Sequence, residues 1–270
     1  MMIGLLPTAA FAAEGKTPTA QDLSENAVTA VAAKTAEAEA FKTEMETFRD
    51  GVPKTLKETG AKKLTELAAN IGLVTDKWED VTATAGTDYS YDVASNTLSV
   101  STAAGLAWMA KQVNAGSLVG TAVTLADDID LSGKLWTPAK DFTGTFDGQG
   151  YKITGLTIAN TALSKPEGYL GLFRNITGTA DKRSFVKNVT FDTVSVYAPM
   201  IDNGTGNPDI YPSFGTATGY SDFTDYDNVL VTGELVIYAD GDAAGIVYDP
   251  GYDDSRGNSI KNCKVCRGVC

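Results

Sequence analysis

The stretch FTGTFDGQGYKITGLTI, residues 142–158, sets Phe142, Phe146, Tyr151, Ile153, Leu156 and Ile158 among Gly144, Gly148, Gly150 and Gly155. Four glycines in so short a run would break a helix and weaken a plain strand. The stretch therefore reads as a backbone that bends repeatedly while returning large apolar side chains to one side. Gly148-Gln149-Gly150 also has the look of a phosphate loop, but no helical pattern follows it to supply a dipole.

A six-residue pattern in this stretch recurs further along. Ile153-Thr154-Gly155-Leu156-Thr157-Ile158 is followed by Val186-Lys187-Asn188-Val189-Thr190-Phe191, then by Tyr226-Asp227-Asn228-Val229-Leu230-Val231, then by Ile260-Lys261-Asn262-Cys263-Lys264-Val265. The copies start 33, 40 and 34 residues apart. The first, fourth and sixth positions are apolar in each, and Gly or Asn holds the third. A step of three between apolar residues means that one residue is spent on a bend, and Gly and Asn enter left-handed backbone most cheaply. Gly155, Asn188, Asn228 and Asn262 are thus expected as structural corners. Gly171-Leu172-Phe173 precedes Val186 at the same offset as Gly245-Ile246-Val247 precedes Ile260. Recurring strand-corner-strand units predict a mainly β fold: a right-handed parallel β-helix, or solenoid, preceded by an α-helical N-terminal segment. An antiparallel sandwich with repeated turns is the alternative.

Upstream, the period changes. Val31, Ala38, Phe41, Met45, Phe48 and Val52 step by three and four in an Ala-, Glu- and Lys-rich background, and Gly51 with Pro53 separates this stripe from a second one carrying Leu56, Leu64, Leu67 and Ile71. Residues 13–76 therefore read as a helical hairpin or spacer, through which the chain could oligomerise. Residues 77–120 read as a β-hairpin around Ser95-Asn96, with Tyr89, Tyr91 and Val93 before the turn and Leu98 and Val100 after it, plus a capping helix with Leu106, Met109, Ala110 and Val113 on one face. Residues 121–270 are read as the repeats, truncated at the C-terminus because no polar cap closes the last one. Residues 1–12 read as an incomplete signal peptide: Ala10-Phe11-Ala12 has the form favoured for cleavage, but no Lys or Arg precedes Lys16.

Composition narrows the chemistry. The 270 residues carry 22 Lys plus Arg against 34 Asp plus Glu, a formal charge of -12, which argues against nucleic acid or an anionic membrane as partner. No histidine is present, so Ser-His-Asp triads, Cys-His dyads and His-based zinc sites are excluded. Cys263, Cys266 and Cys270 offer three thiolates without a visible fourth ligand. No stretch reaches the roughly 20 apolar residues of a transmembrane helix. Acids cluster at Asp127-Asp128-Ile129-Asp130, at Asp222, Asp225 and Asp227, and at Asp240 with Asp242. Asp127, Asp128 and Asp130 are the calcium candidates, against the plainer reading of solvated loops, and no other cofactor is indicated. Tyr197, Tyr211 and Tyr220 could stack on sugars, whereas Tyr226 belongs to the repeat core.

The combination TAAGLAWMAKQVNAG, VTLADDIDLSG, Trp136-Thr137-Pro138 and FTGTFDGQGYKITGLTI, continuing through GYLGLFRNI, VKNVTF, AAGIVYD and SIKNCKV, resembles the repeat region of bacterial surface proteins carrying the GLUG motif. The sequence departs from that pattern at Arg174 and Tyr248, where such repeats commonly carry a glycine. The resemblance implies an exported, cell-surface or adhesin-like β-helical protein with no general catalytic apparatus. Three functions are accordingly weighed: an extracellular, non-enzymatic module for adhesion to a host or neighbour-cell protein or glycan, a polysaccharide lyase or hydrolase, and a purely structural stalk. The lyase or hydrolase would need paired acids on neighbouring strands.

Overall fold

The structure, a computed structural model, describes residues 74–163, 167–200, 210–249 and 257–266, all within the compact unit Ala61–Cys270. The readings of residues 1–12 and of nearly all of 13–76, including oligomerisation through N-terminal helices, fall outside the described residues.

The described chain opens with the hairpin β1 (Tyr89–Asp92) and β2 (Thr97–Val100), paired antiparallel with Asn96 at φ 51° in the turn. Tyr89 and Tyr91 alternate with exposed residues, as period-two patterning requires, but Val93 lies outside the strand and is 76% exposed. Helix α1 (Ala103–Asn114) follows at once. Its N-cap Thr102 accepts from Gly105 N, Leu106, Met109, Ala110 and Val113 are buried, and the left-handed Gly116 lies just beyond its end. Gly105 is required there, because a Cβ would run into the Asp88 carbonyl.

Strands make up most of the remainder: β3 (Ala122–Leu125), β4 (Ile129–Asp130), β5 (Thr145–Asp147), β6 (Lys152–Ala159), β7 (Tyr169–Leu170), β8 (Phe173–Thr177), β9 (Ser184–Ala198), β10 (Ser213–Gly215), β11 (Thr218–Asp222), β12 (Thr224–Ala239), β13 (Ala243–Ala244), β14 (Val247–Asp249), β15 (Ser259–Lys261) and β16 (Lys264–Val265). They form one mixed ten-stranded sheet, whose main path is β1-β2-β3-β5-β9-β12-β15, and two three-stranded sheets, β13-β10-β7 and β14-β11-β8. Apart from β1–β2, the pairings between these strands are parallel.

The expected right-handed parallel β-helix preceded by an α-helical segment is therefore corrected to a mainly β protein of three sheets, with one α-helix among the described residues lying between β2 and β3. The physical reason lies in the bends. The Asn pattern was read as a corner dividing two short strands, yet β9 runs for 15 residues straight through Asn188 and Thr193, both left-handed, and β12 runs for 16 through Asn228 and Gly233. A single left-handed residue is absorbed as a kink that leaves the ladder on either side intact.

Register places apolar side chains over one another. Leu98, Val123, Phe146, Val186, Tyr226 and Ile260 form one row across the large sheet. Ile129, Ile153, Phe191, Val231 and Val265 form a second. Each row is fully buried until its last member, where Ile260 and Val265 are 52% and 51% exposed. Burying a row of large side chains this completely contributes roughly 1.5–3 kcal/mol per residue. Between the sheets, Phe142 stacks on Phe173 at 4.8 Å, and Phe146 meets the edge of the Phe173 ring at 5.5 Å.

Candidate functional site

The four corner residues all take positive φ: Asn188 51°, Asn228 54°, Asn262 53° and Gly155 72°. They do not form one row. Phe146, not Ile153, stands beside Val186, so the spacing along the row Phe146, Val186, Tyr226 and Ile260 is 40, 40 and 34 residues. Residues 148–151 face only Asn188 and Val189, and this excess hides the match from a reading of the sequence. Gly155 instead sits beside Thr193 and Gly233, at φ 60° and 72°, in a second line of left-handed residues.

The asparagines link neighbouring strands. Asn228 Nδ2 donates to Asn188 Oδ1 at 3.1 Å, and Asn188 Nδ2 donates to Asp147 Oδ1 at 3.1 Å. Asn262 leaves this ladder and donates to Asp227 Oδ1 at 2.8 Å. Burial works to raise the Asp147 carboxyl, but the Gln149 amide, Asn188 and Lys187 together hold it below the ordinary carboxylate range. These side-chain bonds tie Asn188, Asn228 and Asn262 to acceptors contributed by the preceding strand.

The calcium candidates are not brought together. Asp127 Oδ1 accepts from Asp128 N, Asp128 Oδ1 from Lys152 N, and Asp130 Oδ1 from Ser132 N. Hydrogen bonds from the Ser132 side chain and backbone hold the Asp130 carboxyl low. Among the described residues, no group of three or more His, Cys, Asp or Glu is placed to hold a metal ion. Cys263 carries a free, half-buried thiol that donates to the Lys261 carbonyl, and burial raises it. Cys270 lies outside the described residues.

Two further acids, Asp225 and Glu167, end on cations. Arg183 Nε and Nη2 grip Asp225 Oδ2 and Oδ1 at 2.8 and 2.6 Å, and Ser259 Oγ adds a third donor. Glu167 is buried between Lys140 and Arg174, with Arg174 Nε 2.7 Å from its Oε2, while Asn160 fixes the backbone of Glu167 through both its donor and its acceptor.

A surface with a different character lies over β7, β11 and β14. The Tyr169 ring is 5.6 Å from Tyr220 and 6.2 Å from Tyr248, both tilted. All three are half-buried. Tyr220 Oη donates to Asp222 Oδ2 at 2.8 Å and Tyr248 Oη to Asp242 Oδ2 at 2.9 Å, while Tyr169 Oη reaches Asp249 Oδ2 at 3.5 Å. Gly219 makes room for the cluster, because a Cβ there would lie 2.8 Å from both Tyr169 Cβ and Leu170 N. A second aromatic pair, Tyr197 on Tyr238 at 5.5 Å, stands on β9 and β12, with Tyr238 Oη donating to Asp240. Tyr211 is 57% exposed and Tyr226 is buried.

Of the sequence candidates, then, Tyr220 joins a cluster, Tyr197 joins a pair, and the aspartates of the 127–130 run stay apart. Tyr169 and Tyr248, which complete the cluster, were not among the sequence candidates. Tyr248 carried a signal, since it stands where the repeat pattern expects glycine. Tyr169 carried none, because β7 belongs to the other three-stranded sheet, and only the approach of that sheet to β11 brings its ring beside Tyr220 and Tyr248.

No protein-family model, curated protein or solved structure matches this chain. Among the described residues, no helix is long and apolar enough to cross a membrane.

Proposed function

We propose that the chain is part of an exported, cell-surface or secreted module that binds glycan without catalysis. The observation that carries this reading is the Tyr169, Tyr220 and Tyr248 cluster with its flanking carboxylates. Aromatic rings supply flat apolar area for the C–H face of a sugar, and carboxylates accept from its hydroxyls. The rings are held by their own phenol hydrogen bonds, so little side-chain freedom is lost on binding. The resemblance to GLUG-motif surface proteins, carried by residues 101–158 and continuing through 168–176, 186–191, 243–249 and 259–265, and the Ala10-Phe11-Ala12 signature support export to the cell surface.

Adhesion is favoured over catalysis because, among the described residues, Asp222, Asp225, Asp240 and Asp242 end on phenols, hydroxyls, amides or a cation. Hydrolysis needs two carboxyl groups roughly 5–10 Å apart on either side of one bond. The test is retention on a panel of immobilised polysaccharides and host-cell proteins, run beside a reducing-sugar and unsaturated-product assay. Retention that is lost with Tyr220→Ala combined with Tyr248→Ala, with no product released, supports the reading. Product formation, or retention untouched by the double variant, overturns it.

A further inference from the structure

A concave site separate from the tyrosine cluster lies between the short turn Trp78–Asp80, helix α1 and the segment around Trp136. It is a cleft of about 210 Å³ lined in part by Trp78, Glu79, Asp80, Lys111, Trp136 and Thr137. That volume is below the roughly 300–1,000 Å³ of sites for drug-sized ligands, and it matches a ligand of about one ring.

Both indoles are pinned before any ligand arrives. Trp78 Nε1 donates to the Leu131 carbonyl at 2.9 Å, and Trp136 Nε1 donates to the Leu172 carbonyl at 3.0 Å. Their N–H groups are thus consumed by the fold; the half-buried Trp78 offers ring carbon to the cleft, and the buried Trp136 lies in its floor. The polar groups are less committed. Thr137 Oγ1 is buried and has no hydrogen-bond partner. Lys111 Nζ makes one long contact, 3.5 Å to the Glu79 carbonyl. Glu79 pairs with Lys77 at 3.4 Å, and Asp80 is exposed at the rim. A buried hydroxyl without a partner is uncommon and marks a place where a donor or acceptor from outside would be gained at no loss.

The charges narrow the ligand class. With Lys77 neutralising Glu79, Lys111 and Asp80 leave the cleft balanced, favouring neither an anion nor a cation, and an apolar ring alone would leave the Thr137 hydroxyl unsatisfied. A neutral ring with one apolar face and several hydroxyls meets all of these groups: carbon against the indoles, donors to Glu79 or Asp80, acceptors for Lys111 and Thr137. We infer that the cleft binds a single neutral pyranose unit, the terminal or branch sugar of a glycan. This inference deepens the glycan-binding reading and rests on it for the source of the sugar, but it concerns a site separate from the tyrosine cluster.

The test uses the full chain and free glucose, galactose, mannose and N-acetylglucosamine at millimolar concentration, the range expected for one sugar ring. The chain has three tryptophans, and the third, Trp108, is occupied by stacking on Tyr89 at 3.8 Å. One of the sugars is expected to shift the indole N–H resonances of Trp78 and Trp136 while leaving Trp108 unmoved. Lys111→Met and Thr137→Val are each expected to weaken that binding by about tenfold with no change in thermal midpoint. Silent Trp78 and Trp136 resonances across the panel overturn the inference, as does an affinity unchanged in both variants. Should Thr137→Val fail to fold, the exposed Lys111→Met decides alone. Polysaccharide retention with a silent cleft removes the cleft proposal only. A responding cleft without polysaccharide retention leaves the cleft standing and removes the adhesion reading.

Discussion

Asn228 donates its side-chain amide to Asn188 at 3.1 Å across the boundary between β12 and β9, and both residues hold a left-handed backbone. Replacing Asn188 with alanine removes this bond and the one to Asp147, and it also places a β-carbon in a conformation that L residues avoid at roughly 1–2 kcal/mol. Asn188→Ala is expected to cost about 2–3 kcal/mol in chemical denaturation, whereas Asn188→Gly, which keeps the conformation and loses only the bonds, should cost about 1. An alanine variant as stable as the glycine variant would show that the backbone strain is absorbed elsewhere.

The two glycines of the opening stretch that share a positive φ separate conformation from space. At Gly150 a Cβ would meet nothing within 4 Å, but at Gly155 it would meet Ser132 Oγ and lie 2.9 Å from Ser132 N. Gly150→Ala should therefore cost about 1–2 kcal/mol from strain alone. Gly155→Ala should cost distinctly more by the same denaturation measurement, and equal losses would count against the close approach of β6 to Ser132.

Asp225 predicts a pH dependence. The Arg183 guanidinium, followed by Ser259, holds its carboxyl below 3.8 in the folded protein. The stability it contributes is present above the ordinary aspartate range and is lost as pH falls through that lowered value. Asp225→Asn should flatten the acid limb of a stability-versus-pH curve below about pH 4. Because both side chains are more than a third exposed, solvent screening keeps the loss at neutral pH under about 1 kcal/mol, and it should shrink further in high salt. An acid limb identical in the two proteins would remove Asp225 from the account.

At the other extreme of pH stands Tyr226, fully buried, with its phenol pushed from 10.0 up to about 12 by burial despite the neighbouring Ser221 and Thr218 hydroxyls. The unfolded chain gives up this proton first, so stability should fall as pH rises from about 10 towards 12. Its hydroxyl, like those of Ser184, Thr216, Thr218 and Ser221, is buried without a well-formed hydrogen bond. Tyr226→Phe should therefore change stability at neutral pH by less than about 1 kcal/mol while blunting the alkaline loss. A large neutral-pH loss in the phenylalanine variant would mean that the phenol is bonded after all.

This polar group of side chains also explains part of what the sequence concealed. Thr218 lies between Phe173 of β8 and Val247 of β14, and Ser221 lies beside Ile176. At these positions the middle strand carries hydroxyls where its neighbours carry apolar residues, so the Gly-apolar-apolar pattern shows at 171–173 and 245–247 and vanishes between them. The helix Ala103–Asn114, the hairpin before it and the strand character of the later chain were legible, because each follows from a local period and a cap. The tyrosine cluster was not: Tyr169, Tyr220 and Tyr248 stand far apart in sequence and meet only where β14 pairs with β11 and β7 of the other small sheet comes against it.

By itself the sequence determined four of the residues that bend the chain, Gly155, Asn188, Asn228 and Asn262, since Gly and Asn reach left-handed backbone most cheaply, though not Thr193, and it ruled out histidine chemistry outright. The tertiary structure decided how those bends are used. An apolar pattern with a step of three points to Ile153 as the partner of Val186, because Gln149 stands three residues after Phe146, and only cross-strand hydrogen bonding selects Phe146 for Val186 and Ile153 for Phe191. It also decided that the bends kink long strands instead of dividing short ones, because a ladder bonded on both sides of one left-handed residue holds the strand together through it.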